Sequence, residues 1–228
     1  MNDLNGILFN IAQSLPGFLL AIVIHEWAHA WMADRFGDPT AKNEGRLTLN
    51  PAAHYDPIGT IFFPLLGAVM NFGIIGWARP VPIVSRNFKN IRKGIFWVSF
   101  AGALSNLLVG TLSAIALALI VTQVSTDWAY FSISLRMLQY SIFINFLLAF
   151  FNLLPIPPLD GSQMVGSFLK GNTLRKYEEL ARYTPVFFIV VFALSFMGIH
   201  ILSYVLAPAQ MIANYIMFSF IALFGGIG

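Results

Sequence analysis

His25, Glu26 and His29 stand together in LLAIVIHEWAHAWMADRFG, residues 19–37, a run otherwise apolar enough to face lipid or a protein core. Residues four apart in an α-helix project from nearly one face, about 6 Å apart along the axis. His25 and His29 can therefore grip one metal ion. Zinc suits two imidazoles, and Glu26, one step round the helix, can act as general base on a water at that ion. A cluster of buried polar groups pairing with one another, or a proton relay, would use the same residues. Structural filler is disfavoured, because burying two imidazoles and a carboxylate without partners is costly.

A catalytic zinc of this kind needs a third protein ligand and a position left for water. The chain has no cysteine, so that ligand is His, Asp, Glu or a main-chain oxygen. The charged residues within or bordering the other apolar segments are Asp56, Asp127, Arg136 and Asp160. Arg136 has the wrong sign, and Asp127 falls on the far side in the orientation reached below, which leaves Asp56 and Asp160. Asp160 sits in FNLLPIPPLDGS, residues 151–162. Pro155, Pro157 and Pro158 end the preceding helix and force an extended turn. The resulting acceptor-rich loop is expensive in lipid and sensible beside a metal.

The elements that must position these groups follow from composition. Of 228 residues, 57% are hydrophobic and only 10% charged, and the mean hydropathy is +0.74. That is too little polar surface for a soluble protein, so the chain reads as an integral, multi-pass membrane protein. The opening MNDLNGILFNIAQSLPGF has neither a basic n-region nor a small-residue cleavage site, so the first helix is expected to belong to the mature fold. Crossing the hydrocarbon takes roughly 20 helical residues. Segments 16–36, 94–122, 133–156 and 185–206 are long enough, while 209–225 is short and follows Pro208. The stretch 57–77 is apolar but broken by Pro57, Gly59, Pro64, Gly67, Gly73 and Gly76, so it either crosses or dips in and returns.

Basic loops favour the dip. Short loops rich in Lys and Arg stay on the cytoplasmic side, and if 57–77 returns, loops 37–56, 78–93 and 157–184 all lie there together. Loop 123–132, with no Lys or Arg, then lies outside. Irregular backbone at membrane depth is tolerated only against protein or a wet cavity, so a dipping segment should line something.

HExxH in an early membrane helix, followed by Asn152-Leu-Leu-Pro155-Ile-Pro-Pro-Leu-Asp160-Gly161, resembles the site-2 protease family of intramembrane zinc metalloproteases. Gly102-Ala-Leu-Ser-Asn106 is similar to the small-residue motif on the family's middle core helix. The resemblance covers residues 16–165. It implies an all-α polytopic fold, with a core of three helices, further C-terminal helices over 185–226, and a short re-entrant extended or β element after the first helix. The whole of 1–228 would form one membrane-embedded domain. It further implies one zinc ion per chain held by His25, His29 and Asp160, with Glu26 activating water and Asn152 positioning substrate or stabilising the oxyanion.

In that family the re-entrant element near the site pairs with extended substrate. Here GWARPVPIV, residues 76–84, carries two prolines that forbid a helix interior and β-branched residues that suit an extended edge. Trp77, Ala78, Arg79 and Val81, with Asn106 on the middle helix, are the expected substrate contacts. The alternative is an interfacial loop anchored by Trp77 and Arg79. His54 and Asp56 in RLTLNPAAHYDPIGT are candidate gating or accessory groups, or else turn and cap signals. His200 is given no catalytic role.

The expected partners are a transmembrane protein substrate and the lipid bilayer. No loop is long enough to fold as an inserted PDZ or CBS domain, so any size filter on substrates falls to the membrane core or to a regulatory membrane protein. The +3 formal charge suits anionic lipid headgroups and needs no nucleic acid. A prokaryotic cell membrane, with the site toward the cytoplasm, is the expected setting. A metal transporter or a zinc-binding scaffold without proteolytic activity is the alternative function, since broken helices with intramembrane ligands also serve transport.

Overall fold

The computed structural model describes residues 4–69, 76–198 and 201–226. Its α-helices are α1 (Leu4–Phe36), α2 (Thr40–Asn43), α3 (Phe63–Val69), α4 (Ile91–Gln123), α5 (Phe131–Asn152), α6 (Asp160–Phe168), α7 (Gly171–Glu178), α8 (Thr184–Phe196) and α9 (Ile201–Gly225). A π-helix, Pro57–Phe62, precedes α3. No strand occurs among the described residues.

The long helices α1, α4 and α5 pack against one another, and α9 lies across α4 and α5. Small residues of α4, among them Gly102, Ala103, Gly110, Ser113 and Ala114, are buried and let the neighbouring backbones come close. Ala114 and Leu117 of α4 meet Ile142 and Phe146 of α5 and Ala213 of α9 in one buried cluster. Phe18, Ile22 and Val23 of α1 form a second cluster with Ala78, which fastens the extended segment to the first helix. Among the described residues four helices, Gly6–Phe36, Ile91–Gln123, Phe131–Asn152 and Ser203–Gly225, are long and apolar enough to cross a membrane. The protein is an integral, multi-pass membrane protein.

The spans differ from the sequence expectation at both ends. Helix α1 begins at Leu4 and carries Pro16 inside it rather than starting there. The expected span 185–206 is divided: α8 stops at Phe196 and α9 starts at Ile201, with Pro208 inside α9. Gly198 adopts φ +84°, a left-handed conformation that ends helices. Pro208 costs a single backbone bond, which a membrane helix can absorb. The 13 residues of α8 are too few to cross alone. His200 lies outside the described residues.

The segment 57–77 returns to where it starts. The Trp77 N–H donates to Gly59 O at 3.1 Å, and Thr60 Oγ1 donates to Trp77 O at 3.1 Å. The Trp77 ring packs 5.0 Å from that of Phe63. Residues 70–75 of this segment lie outside the described ones. Because its two ends are hydrogen-bonded to each other, the chain leaves the segment on the side it entered.

From Trp77 to Val84 the backbone is extended and tied through the N–H groups of Trp77, Arg79, Val81 and Val84. The Arg79 N–H donates to His54 O at 2.9 Å, and Arg79 O accepts from Arg46 Nη2 at 2.7 Å. At the far end, the buried carboxylate of Asp38 accepts from the Val84 N–H at 2.6 Å, from Asn87 Nδ2 at 2.8 Å, and from the Thr40 hydroxyl and N–H. Burial works against the Asp38 charge, but these donors outweigh it and hold the carboxyl below its usual range. Asp38→Ala is expected to cost about 2–3 kcal/mol, read as a lower thermal unfolding midpoint in detergent. With the folded-state pKa depressed, the stabilisation is present above the ordinary carboxylate pKa of about 4 and is lost as pH falls through the folded value. The gap between parent and variant should therefore be constant near neutrality and close in acid.

Candidate active site

The helical period brings His25 and His29 to one face of α1, and α6 begins with Asp160 directly opposite. The three ligand atoms form a near-equilateral triangle: His25 Nε2 to His29 Nε2 is 3.0 Å, and Asp160 Oδ2 lies 3.2 Å from the first and 3.3 Å from the second. Zinc bonds of about 2.0–2.1 Å at tetrahedral angles set donor atoms about 3.3 Å apart, so this triangle is the right size for one face of the coordination shell.

The donor chemistry fits as well. His25 Nδ1 lies 2.7 Å from Asn106 Oδ1, and His29 Nδ1 lies 2.7 Å from Val98 O. Both partners accept, so each ring carries its proton on Nδ1 and turns the Nε2 lone pair toward the other two groups. Asp160 Oδ2 is buried with no hydrogen-bond donor. Three lone pairs at this separation repel one another unless a cation lies among them. Among the described residues this is the group of His, Asp and Glu side chains that could hold a metal ion.

Glu26 stands beside the triangle without joining it. Its Oε2 accepts the Val81 N–H at 2.8 Å, which couples the carboxylate to the extended segment. A cavity of about 560 Å³ opens in front of these groups, lined by His25, Glu26, His29, Asp160 and Asn152 and walled by Trp77, Ala78 and Val81. The Asn152 carboxamide is anchored by its own Nδ2, which donates to Leu148 O at 3.1 Å.

Several expected site residues fall elsewhere. Asn106, expected to touch substrate, is fully buried behind His25. Arg79, also expected at the substrate, does not line the cavity; its backbone ties the extended segment to His54 and Arg46. His54 is buried with Nε2 donating to Thr48 O at 2.8 Å, and Asp56 caps the π-helix by accepting the N–H groups of Ile58 and Gly59. Neither His54 nor Asp56 lines the cavity. Sequence reasoning missed the Val98 carbonyl and the Val81 N–H, since main-chain groups leave no residue-type signal.

The sequence profile of peptidase family M50 matches residues 61–193. YwhC of Bacillus subtilis, named provisionally as a zinc metalloprotease, is 39% identical over 176 residues, which cover 76% of this chain and 77% of that protein. Rip2 of Mycobacterium tuberculosis, named in the same way, is 29% identical over 179 residues, 78% of this chain and 65% of Rip2. Rip2 of Mycolicibacterium smegmatis is 30% identical over 161 residues, 71% of this chain and 59% of that protein. No solved structure matches. A zinc-sized triangle of donors beside a carboxylate, within helices long enough to cross a membrane, agrees with these likenesses: the chain belongs to peptidase family M50, the site-2 protease family of membrane zinc metalloproteases.

Proposed function

We propose that the chain hydrolyses peptide bonds in or beside the membrane-spanning segments of substrate proteins. One observation carries this reading: three lone-pair donors converge beside Glu26 on the wall of a cavity formed among helices of membrane-crossing length. His25, His29 and Asp160 hold the zinc. Zinc, when bound, supplies a Lewis acid that polarises a carbonyl and acidifies water.

The chain's own groups do the rest. Glu26 takes a proton from the attacking water as its oxygen bonds to the carbonyl carbon, then delivers that proton to the amide nitrogen as the C–N bond breaks. The Val81 N–H occupies Oε2 of Glu26, which leaves the other oxygen for the proton. Asn152 orients the substrate carbonyl and steadies its developing charge. Trp77, Ala78 and Val81 are the wall against which the substrate lies extended. The Ala78 N–H and C=O have no hydrogen-bond partner among the described residues, which supports backbone pairing with a substrate drawn out of its helix.

The charge distribution supports a cytoplasmic site. Of the thirteen Lys and Arg residues, all but Arg136 lie at or beyond the ends of α1, α4, α5 and α8 nearest Asp160. The bacterial relatives support a prokaryotic cell membrane.

The test is a panel of single-span reporter proteins reconstituted with the purified chain in vesicles. Cleavage in or beside the span is expected, lost on chelation and regained with zinc. Zinc crossing the vesicle membrane with no reporter cut would replace this reading with transport; zinc binding with neither would leave a scaffold.

A further inference from the structure

We propose that Asn145 is a positioning residue for the metal centre: anchored on Ser141, it fixes the carboxamide of Asn106 and thereby the Nδ1–H tautomer of His25. The inference rests on the zinc reading for its purpose, though its geometry stands on its own.

A carboxamide has one accepting end and one donating end. If the Asn106 side chain were reversed, its NH₂ would face His25 Nδ1, that nitrogen would become the acceptor, and the ring proton would move to Nε2. The imidazole would then point an N–H, not a lone pair, at Asp160 and His29. The reversal is opposed because Asn106 Nδ2 donates both to Ala21 O at 3.0 Å and to Asn145 Oδ1 at 2.9 Å. Asn145 could itself be reversed, but its Nδ2 donates to Ser141 O at 2.8 Å, and a main-chain carbonyl can only accept. Polarity therefore runs in one direction from the Ser141 carbonyl through Asn145, both on α5, and through Asn106 on α4 to His25 on α1. Asn106 and Asn145 are both fully buried, so no solvent can substitute for a mismatched partner. Ser113 Oγ, 2.9 Å from Ser141 Oγ, belongs to the same polar patch but touches neither carboxamide, which makes it a control for packing alone.

The experiment uses the full chain in detergent micelles with ¹⁵N-labelled histidine, the His25 signal being assigned by its loss in His25→Gln. Zinc affinity is measured by competition with a chromophoric chelator. In the metal-free parent, His25 is expected as the Nδ1–H tautomer. With Asn145→Leu only Ala21 O is left to hold Asn106 Nδ2, so part of the population should reverse to the Nε2–H tautomer, and zinc binding should weaken about tenfold, the lower end of what loss of an outer partner costs. Asn145→Asp, kept neutral by burial, can accept from Asn106 and donate to Ser141 O, and should restore both readouts. Ser113→Ala should leave both unchanged. Asn145→Leu with the parental tautomer and affinity would overturn the proposal, as would Ser113→Ala reproducing its losses. A tautomer shift in Asn145→Leu, in a parent that binds no zinc, would uphold the relay and remove the zinc reading instead.

Discussion

Glu26→Gln is expected to lower reporter cleavage by about 10²–10⁴-fold while the purified protein keeps one zinc per chain. The substitution is nearly isosteric, and the glutamine oxygen can still accept the Val81 N–H, so the extended segment stays in register with α1. What disappears is a group able to take a proton and return it. Metal should be retained because no atom of Glu26 belongs to the donor triangle of His25, His29 and Asp160. Single-turnover cleavage of a reporter in vesicles, paired with elemental analysis of the same preparation, separates the two quantities. Cleavage at the parental rate would remove Glu26 from the chemistry; loss of zinc would mean that it helps to hold the metal.

The donor set was legible because helical period alone carries His25 and His29 to one face, and because three prolines before Asp160 leave few conformations for that corner. Asp160 and Asp56 could not be separated by chemistry without the resemblance to a family; the fold separates them by seating Asp160 at the rings and Asp56 on a helix cap. Asn106 illustrates the limit. Its presence on the middle helix was clear, but its direction depends on how α4 is rotated against α1, and that rotation is set by packing among small residues. The same holds for Asp38, which follows α1 and closes on Val84 and Asn87 some 46 and 49 positions away. Sequence puts the break before the last helix at Pro208 because proline is the stronger local signal, whereas the chain turns at Gly198, whose φ cannot be read from composition.

Gly102→Ala should cost the protein its zinc, with affinity reduced about 100-fold and cleavage lost with it. A Cβ at this position would lie 2.5 Å from His29 Nε2 and 2.6 Å from both His25 Cε1 and His29 Cε1. Those are the ring edges that face the metal position. The rings cannot simply retreat, since Asn106 Oδ1 and Val98 O hold their opposite edges at 2.7 Å. Either α1 and α4 separate or both imidazoles rotate out of the triangle, and each outcome breaks the ligand geometry. Alanine is also the better helix former, by about 1 kcal/mol in a helix interior, so any loss of zinc accompanied by a retained unfolding midpoint reports the collision and not a weakened helix. Gly166→Ala on α6 is the control, because its nearest contact would be an ordinary 3.6 Å to Leu174. Measured by chelator competition in detergent, parental zinc affinity in Gly102→Ala would require α1 and α4 to sit farther apart than they do here, and would overturn the close approach of Gly102 to the two rings.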